Sequence, residues 1–358
     1  MGEQVRIGYS CWGFLGPGIT DTPDGGRSHR RTLVDGLIRA GHGIVFLQAN
    51  RDLAEASHDL TGSYTWNSGL PGIDALFLEW RWPIPARNTT ACGAPGHTCD
   101  LHRQDQLLAC YTRGQRVPTV IWDKDLQLPR RHPLRALPNV AVCEPGLQPS
   151  PGAASLLFPV DDAILDAASP AALAAGSRPL PLVYVGNQYD RDAAFGAYFA
   201  PAAAQFAHRV AGKWTGTSRW PHVNFTGRCP FSEVTSLYRS ALATVLLVPD
   251  RYARAGQMTQ RLFEAVLAGC LPITPASIAC AGRFTPLVLH AADGQQVIDR
   301  LQHIQAAGTA WHVETLAACL ERLGIFRLSR QIATLNRFLE RLTDASSARL
   351  PGTPARPR

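Results

Sequence analysis

Two charged side chains stand out in the stretch QMTQRLFEAVLAGCLPIT, residues 257–274, because the rest of its predicted helix is largely apolar. Arg261 and Glu264 are three residues apart, so they share one face of that helix. On such a face a carboxylate can accept hydrogen bonds from both hydroxyls of a ribose, and a guanidinium can bind a diphosphate through two nitrogens. The alternative is a solvated ion pair within the helix, which would contribute little stability.

A second candidate anion site follows the predicted strand PLVYVGN, in the residues YVGNQYDRD. Gly186 permits a ligand to approach the backbone closely, and the helix after Asn187 would present free amide groups at its start. Arg191 lies within reach, and Lys213, one of only two lysines, follows a further predicted strand at 207–211. A tight turn without a ligand is the alternative. The G-x-G-x-x-G pattern of NAD sites is absent here, which disfavours that cofactor.

The elements that would position these residues form a repeated pattern of short apolar strands and amphipathic helices. The chain has 358 residues, 46% of them apolar and 18% charged, which suits large buried parallel sheets and exceeds the usual size of one core. The predicted strands span residues 5–12, 43–48, 73–80, 118–123, 139–145, 155–160, 181–187, 222–227, 243–250 and 271–274. The predicted helices include 27–42, 101–114, 191–210, 232–242 and 328–342, and 251–257 is predicted as a polar loop.

This pattern predicts an α/β protein with two Rossmann-like, doubly wound domains that face each other across a cleft. The first domain would span residues 1–170 and the second 171–325, joined within the Ala-, Ser- and Pro-rich stretch 161–180. The segment 326–344 would form a helix that crosses back to the first domain, and 345–358 would be a disordered tail. Ligands of such sheets bind outside the carboxyl ends of the strands.

Cysteine usage and the N-terminus predict a cytoplasmic protein without a membrane span. Nine cysteines occur at irregular spacings, which indicates reduced thiols, and MGEQVRIGYS has no secretory pattern. A zinc loop is possible at CGAPGHTCDLH, where four potential ligands lie close together: Cys92, His97, Cys99 and His102. Their spacing matches no common ligand pattern. A Gly/Pro-rich surface loop is therefore favoured, and no metal site is predicted.

The net charge of +7 comes almost entirely from arginine, whose planar fork suits phosphate recognition. A basic protein of this kind could meet DNA, a membrane surface or an anionic small molecule. Composition alone does not separate these partners.

The order of motifs in the second half resembles the nucleotide-sugar half of the GT-B glycosyltransferases, which include the DNA β-glucosyltransferases of T-even phages. The likeness rests on VYVGN, FTGRCP, ALATVLLVPD and MTQRLFEA, and it covers about residues 118–129 and 181–300. The resemblance implies a GT-B fold and a nucleotide-diphosphate sugar as donor, with UDP as the expected nucleotide. It also implies that Glu264 binds the donor ribose and Arg261 the diphosphate, with Asn187 and Arg191 near the phosphates; Lys213 could also reach them.

The same resemblance assigns a catalytic base to the strand end WDKDLQLP, residues 122–129, where the matching residue is Asp125. A carboxylate at a domain cleft could take the proton of an acceptor hydroxyl, as an inverting sugar transfer requires. Asp123 is the rival carboxylate, and Lys124 between the two would keep both ionised. A structural salt bridge is the alternative explanation for this cluster.

Two departures bear on the mechanism. Many retaining GT-B enzymes carry a second glutamate eight residues before the helix glutamate, and here that position is Gly256. This departure favours inversion. The predicted donor site offers arginine rather than an acidic pair to the diphosphate, so no cofactor is required, although Mg²⁺ or Mn²⁺ is possible.

The resemblance places the acceptor against the first domain, where two stretches carry suitable residues. The loop GPGITDTPDGGRSHRR, residues 16–31, offers Asp24, Arg27, His29 and Arg30. His29 could itself be the base, although a polar helix cap is the commoner role for such a histidine. In EWRWPIPARNTT, Trp80 and Trp82 could stack on a sugar or a base, or could be buried packing residues.

The sequence therefore predicts an inverting glycosyltransferase that moves a sugar from a nucleotide-diphosphate sugar to an acceptor hydroxyl. The acceptor is expected to be modified DNA or a small metabolite or glycan. A non-catalytic nucleotide-binding homologue and a nucleotide-sugar epimerase are the alternatives, because fold alone does not fix function.

Overall fold

Two parallel sheets organise the chain, whose computed structural model describes residues 4–16, 27–85 and 88–347. The first sheet has the strand order β3-β2-β1-β4-β5-β6-β7, with every neighbouring pair parallel. Its strands are β1 (Arg6–Ser10), β2 (Gly43–Phe46), β3 (Thr65–Trp66), β4 (Ala75–Glu79), β5 (Thr119–Trp122), β6 (Val140–Glu144) and β7 (Ala153–Ser155).

The second sheet is also parallel and has the order β12-β11-β10-β8-β9. Its strands are β8 (Leu180–Val185), β9 (His208–Ala211), β10 (Ala241–Val245), β11 (Leu271–Pro275) and β12 (His290–Ala291). The two sheets divide the chain between residues 155 and 180, and we propose that the domain boundary lies near residue 170 within this interval. The predicted α/β architecture with two doubly wound sheets is confirmed.

Helices connect the strands and cover the sheets. They are α1 (Arg27–Arg39), α2 (Arg51–Ala56), α3 (Asp100–Leu107), α4 (Asp162–Ala167), α5 (Pro170–Ala174), α6 (Asp192–Ala194), α7 (Ala200–Ala203), α8 (Val234–Arg239), α9 (Asp250–Ala255), α10 (Arg261–Leu267), α11 (Gly294–Ala306), α12 (Thr309–Leu323) and α13 (Leu328–Ser347). Wider π-helical turns extend α3 through Leu108–Gly114 and join α6 to α7 through Phe195–Phe199. No helix in the described ranges is long and apolar enough to cross a membrane.

The strand orders define where ligands can enter. In the first sheet the order in which successive strands are added reverses between β1 and β4, and in the second sheet it reverses between β8 and β10. A crevice forms outside the carboxyl ends of the strands at such a reversal, because the following loops turn to opposite faces of the sheet. The residues that follow β1, β4, β8 and β10 are therefore the ones to examine for function.

Both sheets are buried, as their apolar strands predict. Every residue of β4 is buried, with Leu76 and Leu78 in one apolar cluster and Phe77 in another. In α10 the apolar residues Leu262 and Val266 are fully buried. Burial of this face fixes the helix and directs its charged side chains elsewhere.

The last helix returns to the first sheet. Helix α13 packs against α1 and β5. A Cβ on Gly36 of α1 would lie 2.7 Å from the Leu328 side chain, so a larger residue there would push the helices apart. The helix runs from 328 to 347, five residues beyond the predicted 342, and the predicted disordered tail lies largely outside the described residues.

The two sheet-bearing parts of the chain also meet through the backbone. Gly146 forms an antiparallel bridge with Gln257. The amide of Leu147 donates to the carbonyl of Gly256 at 3.0 Å, and the Gln257 amide nitrogen Nε2 donates to the carbonyl of Lys124 at 2.7 Å. These bonds hold the loop after α9 against the carboxyl edge of the first sheet.

Four local predictions are wrong. The apolar run 155–160 is not a strand: β7 ends at Ser155, and Leu157 donates its amide to the Gln331 side chain of α13. Of the predicted strand 222–227, only an isolated bridge between Phe225 and Val210 forms. The predicted helix 191–210 ends at residue 203 before β9. The predicted loop 251–257 is mostly helix α9, which ends at Gly256.

Candidate active site

Asp125 lies where the two parts of the chain meet. It follows β5 of the first sheet and is partly buried. The hydroxyl of Tyr252, on α9 of the second part, donates a hydrogen bond to its Oδ1 atom. Arg251 of the same helix donates through Nε to the backbone carbonyl of Asp125 at 2.9 Å. The carboxylate therefore faces the opposite wall of the cleft and is held in one orientation.

Arg251 and Tyr252 were not predicted as site residues, because their segment reads as a polar loop. Arg251 also donates to Asp190 at 2.6 Å and to the hydroxyl of Tyr189 at 3.0 Å. Burial and the neighbouring Asp125 carboxylate raise the pKa of Tyr252 well above its usual value, so the phenol stays a donor. Two features of the sequence indicate helix α9: an acidic residue, Asp250, in its first turn and a glycine, Gly256, at its end.

Asp123, the rival base, is fully buried and supports the loop after β5. Its two carboxylate oxygens accept the backbone amides of Gln127 at 2.9 Å and Leu128 at 2.7 Å. Burial raises its pKa to about 6, although the two amides act in the opposite direction. Both oxygens are committed to the backbone, which favours Asp125 over Asp123 as the group that meets a substrate.

The expectation that Lys124 keeps the neighbouring aspartates ionised is not supported for Asp123, whose pKa is raised. The Nζ atom of Lys124 pairs with Glu79 at 2.6 Å across the neighbouring strand, because the side chain points into the sheet edge. Arg30 binds the same carboxylate through Nε at 2.8 Å and Nη2 at 2.6 Å, and the Tyr9 hydroxyl donates to it at 2.6 Å. Burial would raise the pKa of Glu79, but Arg30 and Lys124 outweigh it and hold the pKa well below its usual range.

His29, the second candidate base, lies in the core. It is 1% exposed, with its ring centroid 4.3 Å from that of Phe158 and 5.5 Å from that of Trp122. Arg30 is equally buried in the network around Glu79. Proton transfer requires contact with the reacting group, so this placement does not support a role for His29 as the base.

The predicted acceptor residues receive little support. Trp80 is partly buried, packs in the apolar cluster on the α3 side of the sheet and meets the ring of His132 edge-on at 5.4 Å. Trp82 is partly buried, and its carbonyl accepts a bond from Asn88. Asp24 lies outside the described residues, as does the side chain of Arg27, the first residue of α1.

Across the cleft, Arg261 lies against the end of β8. Its Nε donates to the carbonyl of Val185 at 2.6 Å, and Nη1 lies 3.4 Å from the hydroxyl of Thr259. A Cβ on Gly186 would collide with this guanidinium, so a glycine is required there. The aromatic ring of Tyr184 lies 5.8 Å away and favours the cation. The sequence brought Gly186 and Arg261 into one predicted site, and the structure places them in contact.

Glu264 is partly buried one turn further along α10. Burial raises its pKa, while Arg261 and the hydroxyl of Ser28 lower it. Ser28 belongs to α1 of the first part of the chain, so α1 approaches α10 near Glu264. The mutual effect of Glu264 and Arg261 on their pKa values places the two charges near each other, as their three-residue spacing predicts.

The remaining predicted donor residues shape the loops around Gly186. Arg191 is 5% exposed and donates to the carbonyls of Leu247 at 3.1 Å and Tyr189 at 2.7 Å. Asn187 accepts the backbone amide of Lys213 at 2.8 Å, which ties the loop after β9 to the loop after β8. Lys213 itself is exposed.

Gly256, where many retaining enzymes carry a glutamate, has a structural requirement. It ends α9 with φ of +56°, a left-handed conformation that glycine adopts without strain. A Cβ there would lie 2.8 Å from the carbonyl oxygen of Ala279. A glutamate would not fit this backbone.

The cysteine and histidine cluster does not form a metal-binding arrangement. Cys92 Sγ lies 3.4 Å from His102 Nδ1, while His97 Nδ1 lies 2.8 Å from the carbonyl of Thr90. Among the described residues, no three His, Cys, Asp or Glu side chains converge so that they could hold a metal ion.

Comparison with known proteins adds to this geometry. A family model described as glycosyl transferase-like matches residues 196–320. None of the curated proteins matches the sequence significantly.

Solved structures match along nearly the whole chain. T4 phage β-glucosyltransferase with UDP-glucose aligns with a TM-score of 0.61 at 12% identity, over 95% of this chain and 99% of that one. AviGT4, a glycosyltransferase involved in avilamycin A biosynthesis, aligns with a TM-score of 0.52 at 13% identity, over 95% and 98%. An O-GlcNAc transferase mutant of Thermobaculum terrenum aligns with a TM-score of 0.55 at 14% identity, over 97% and 69%.

At these identities the likeness establishes the fold. The chain has the GT-B fold, and the resemblance to GT-B glycosyltransferases stated from its motifs is confirmed. The T4 phage enzyme has also been solved with UDP and Mn²⁺.

Proposed function

We propose that this protein is a glycosyltransferase that uses a nucleotide-diphosphate sugar, with UDP as the nucleotide. The observation that carries the proposal is the position of Asp125. It projects from the first sheet into the contact with α9, beside the wall that carries Arg261 and Glu264. The UDP and UDP-glucose complexes of the structurally similar T4 phage enzyme support the choice of nucleotide.

The donor would bind at the carboxyl edge of the second sheet. Glu264 would accept hydrogen bonds from the two ribose hydroxyls, and Arg261 would bind the diphosphate. Arg191 and Arg261 donate to backbone carbonyls, and neither forms an ion pair within 4 Å among the described residues, so their positive charge remains available to a diphosphate. Asn187 and Lys213 would close the loops over the phosphates.

In the reaction, Asp125 would take the proton of the acceptor hydroxyl as its oxygen bonds to the anomeric carbon of the sugar. The bond from that carbon to the diphosphate breaks, and Arg261 and Arg191 stabilise the charge that develops on the leaving group. Attack from the face opposite the diphosphate inverts the anomeric centre. The hydrogen bond from Tyr252 fixes the orientation of the carboxylate during this step.

A divalent ion is compatible with this scheme without being required. The T4 phage enzyme with UDP and Mn²⁺ shows that Mn²⁺ can accompany UDP in that protein. In the described part of this chain no set of three acidic, His or Cys side chains converges on one point. We propose that Arg261 and Arg191 supply the positive charge at the diphosphate, and we therefore expect activity to survive chelation by EDTA.

The acceptor is either DNA with a hydroxylated base or a small metabolite or glycan. The net charge of +7 permits DNA binding, and the structurally similar phage β-glucosyltransferase is a DNA-modifying enzyme. Binding to DNA should weaken steeply with salt, whereas binding of a neutral small acceptor should not. We also propose a cytoplasmic location, which suits nine cysteines that form no disulfide within the described ranges.

The test is release of UDP from a panel of UDP-sugars, measured alone, with duplex DNA at low and high salt, and with small hydroxylated acceptors. The proposal predicts release that depends on an acceptor and is lost in Asp125→Asn. A new sugar nucleotide formed from donor alone would identify an epimerase instead. Binding of UDP without turnover under any condition would identify a non-catalytic homologue.

A further inference from the structure

Arg81 is a buried arginine whose hydrogen-bonding capacity is largely unused. The residue is 3% exposed and follows β4. One nitrogen, Nη2, donates to the hydroxyl of Ser10 at 3.1 Å, whereas Nε and Nη1 are closed off from solvent and have no partner. Burial lowers the pKa of Arg81, although the nearby carboxylate of Asp100 acts in the opposite direction. Unsatisfied donors on a buried cation are costly, and they call for a specific explanation.

The fold holds the backbone of Arg81 in place. The side-chain amide of the buried Gln104, on α3, accepts the backbone amide of Arg81 at 2.9 Å and donates to its carbonyl at 3.0 Å. The side chain then crosses from the end of β4 to Ser10 at the end of β1. The order of successive strands in the first sheet reverses between β1 and β4. The guanidinium therefore lies at the crevice where such sheets bind ligands.

Near Arg81 lies a carboxylate, Asp100, that also has an unpartnered buried atom. Asp100, the first residue of α3, is the carboxylate with the greatest effect on Arg81, and its Oδ2 atom is buried without a partner. The two groups form no ion pair within 4 Å in the described part of the chain. Arg81 offers only hydrogen-bond donors and ionised Asp100 only acceptors, and each side chain has at least one atom without a hydrogen-bond partner.

The neighbouring charges are already satisfied among themselves. Glu79, two residues before Arg81, is shared by Arg30 and Lys124, so it is not available to Arg81. The same pairing connects the two strands: Lys124 precedes Asp125 in the chain. A ligand between Arg81 and Asp100 would thus lie one strand away from the proposed catalytic base.

The chemistry of the missing ligand group follows from these two deficits. An anion would satisfy Arg81 but would be repelled by Asp100. A hydroxyl satisfies both, because its oxygen accepts from the guanidinium and its proton is donated to the carboxylate.

We propose that Arg81 and Asp100 form a subsite for the hydroxyl groups of a neutral sugar, which serves as the acceptor. The inference rests on the proposed function in assigning this sugar to the acceptor side. It selects a polyhydroxylated acceptor over an anionic one, and it adds two specificity residues that lie outside the segments carrying the family resemblance.

The experiment titrates the full-length protein, in the presence of UDP, with D-glucose, D-galactose and D-ribose. D-Glucuronate and glucose 6-phosphate serve as anionic counterparts, and binding is followed by saturation-transfer NMR. The variants are Arg81→Met and Asp100→Asn, with Arg239→Met as a control that removes an exposed positive charge on the second part of the chain. Circular dichroism confirms that each variant is folded, and Asp100→Asn carries the test if Arg81→Met is not.

We expect at least one neutral sugar to bind, with affinity about tenfold weaker in both site variants and unchanged in Arg239→Met. The direction in which Asp100→Asn changes the affinity distinguishes a neutral sugar from an anion. The substitution weakens binding of a hydroxyl donor, whereas it strengthens binding of an anion by removing repulsion. Absence of sugar binding, unchanged affinity in the site variants, or tighter binding of the anionic counterparts to Asp100→Asn would overturn the inference.

A failure of the proposed function can be distinguished from a failure of this inference. A separate titration of the wild type with UDP alone reports on the donor site and does not involve Arg81 or Asp100. UDP binding without sugar binding would reject only the acceptor subsite, whereas absence of UDP binding would reject the glycosyltransferase proposal.

Discussion

Two pairs of positively charged residues, one pair at each sheet edge, differ in what they bind. At the first sheet, Arg30 and Lys124 both pair with the buried carboxylate of Glu79. At the second sheet, Arg191 and Arg261 donate to backbone carbonyls, and neither lies within ion-pair distance of a carboxylate among the described residues.

This difference separates a structural network from a binding site. The shared Glu79 carboxylate offsets part of the charge of Arg30 and Lys124, so this network attracts an anion less than two guanidinium groups without a paired carboxylate would. A carbonyl fixes the position of a guanidinium and leaves its charge in place. Arg191 and Arg261 at the second edge are therefore prepared for a diphosphate, while the network around Glu79 at the first edge supports the segment that carries Asp125.

The largest effect is expected from Asp125→Asn, which removes a carboxylate of the first edge that contacts the second part of the chain. The amide cannot take the acceptor proton, so the transfer rate should fall by about 10²- to 10⁴-fold. Affinity for UDP should stay unchanged, because Asp125 does not contact the donor wall residues Arg261 and Glu264. Steady-state UDP release and UDP titration measure the two quantities. Normal turnover by the variant would show that another group is the base.

Glu79→Gln tests whether the first edge is structural. Loss of the carboxylate removes the buried charge that Arg30 and Lys124 share, which should lower the free energy of unfolding by about 3–5 kcal/mol. Denaturant unfolding measures this change. The matched control is Glu55→Gln, which removes an exposed pair with Arg51 on α2 and should cost at most about 1 kcal/mol. Equal losses of unfolding free energy in Glu79→Gln and Glu55→Gln would contradict the structural role of the Glu79 network.

Arg261→Met tests whether the second edge binds the donor. Loss of a charge-assisted contact to the diphosphate should raise the Kd for UDP roughly 10- to 100-fold. The unfolding free energy should change less than in Glu79→Gln, because Arg261 forms no ion pair within 4 Å among the described residues. Titration of UDP, with Arg239→Met as the charge-matched control, measures the effect. An unchanged Kd would place the diphosphate elsewhere.

The smallest expected effect is a pH dependence of donor affinity. Burial raises the pKa of Glu264, and only the ionised carboxylate accepts both ribose hydroxyls. Affinity for a UDP-sugar should therefore be full above this raised pKa and should fall as the pH is lowered through it. The fall begins at a higher pH than an ordinary glutamate would give. Glu264→Gln should remove this dependence; a dependence that persists in the variant belongs to another group.

Much of this arrangement follows from the sequence. Apolar runs with polar ends predicted the strands that carry the site, and the helical period put Arg261 and Glu264 on one face. Gly186 at a strand end predicted a close approach, although the group that approaches is the Arg261 guanidinium of the protein itself.

The errors have physical causes. Helix α9 has only six residues, too few to show a period, so Arg251 and Tyr252 were missed. The apolar run 155–160 contains Pro159, which cannot donate to a sheet, and its burial comes from α13 instead.

Partners distant in the chain could not be predicted. Lys124 pairs with Glu79, 45 residues earlier, because β4 and β5 are neighbours in the sheet. The spacing of Asp123, Lys124 and Asp125 suggested a local charge cluster, and only the tertiary structure assigns each side chain a different direction.

The central claim is that the carboxyl edge of the second sheet binds a nucleotide diphosphate through Arg261 and Glu264. Calorimetric titration of UDP into the wild type and into Glu264→Ala tests it most directly. The account predicts saturable binding to the wild type and affinity at least about tenfold weaker in the variant. No binding of UDP to the wild type, or equal affinity in the two proteins, would contradict it.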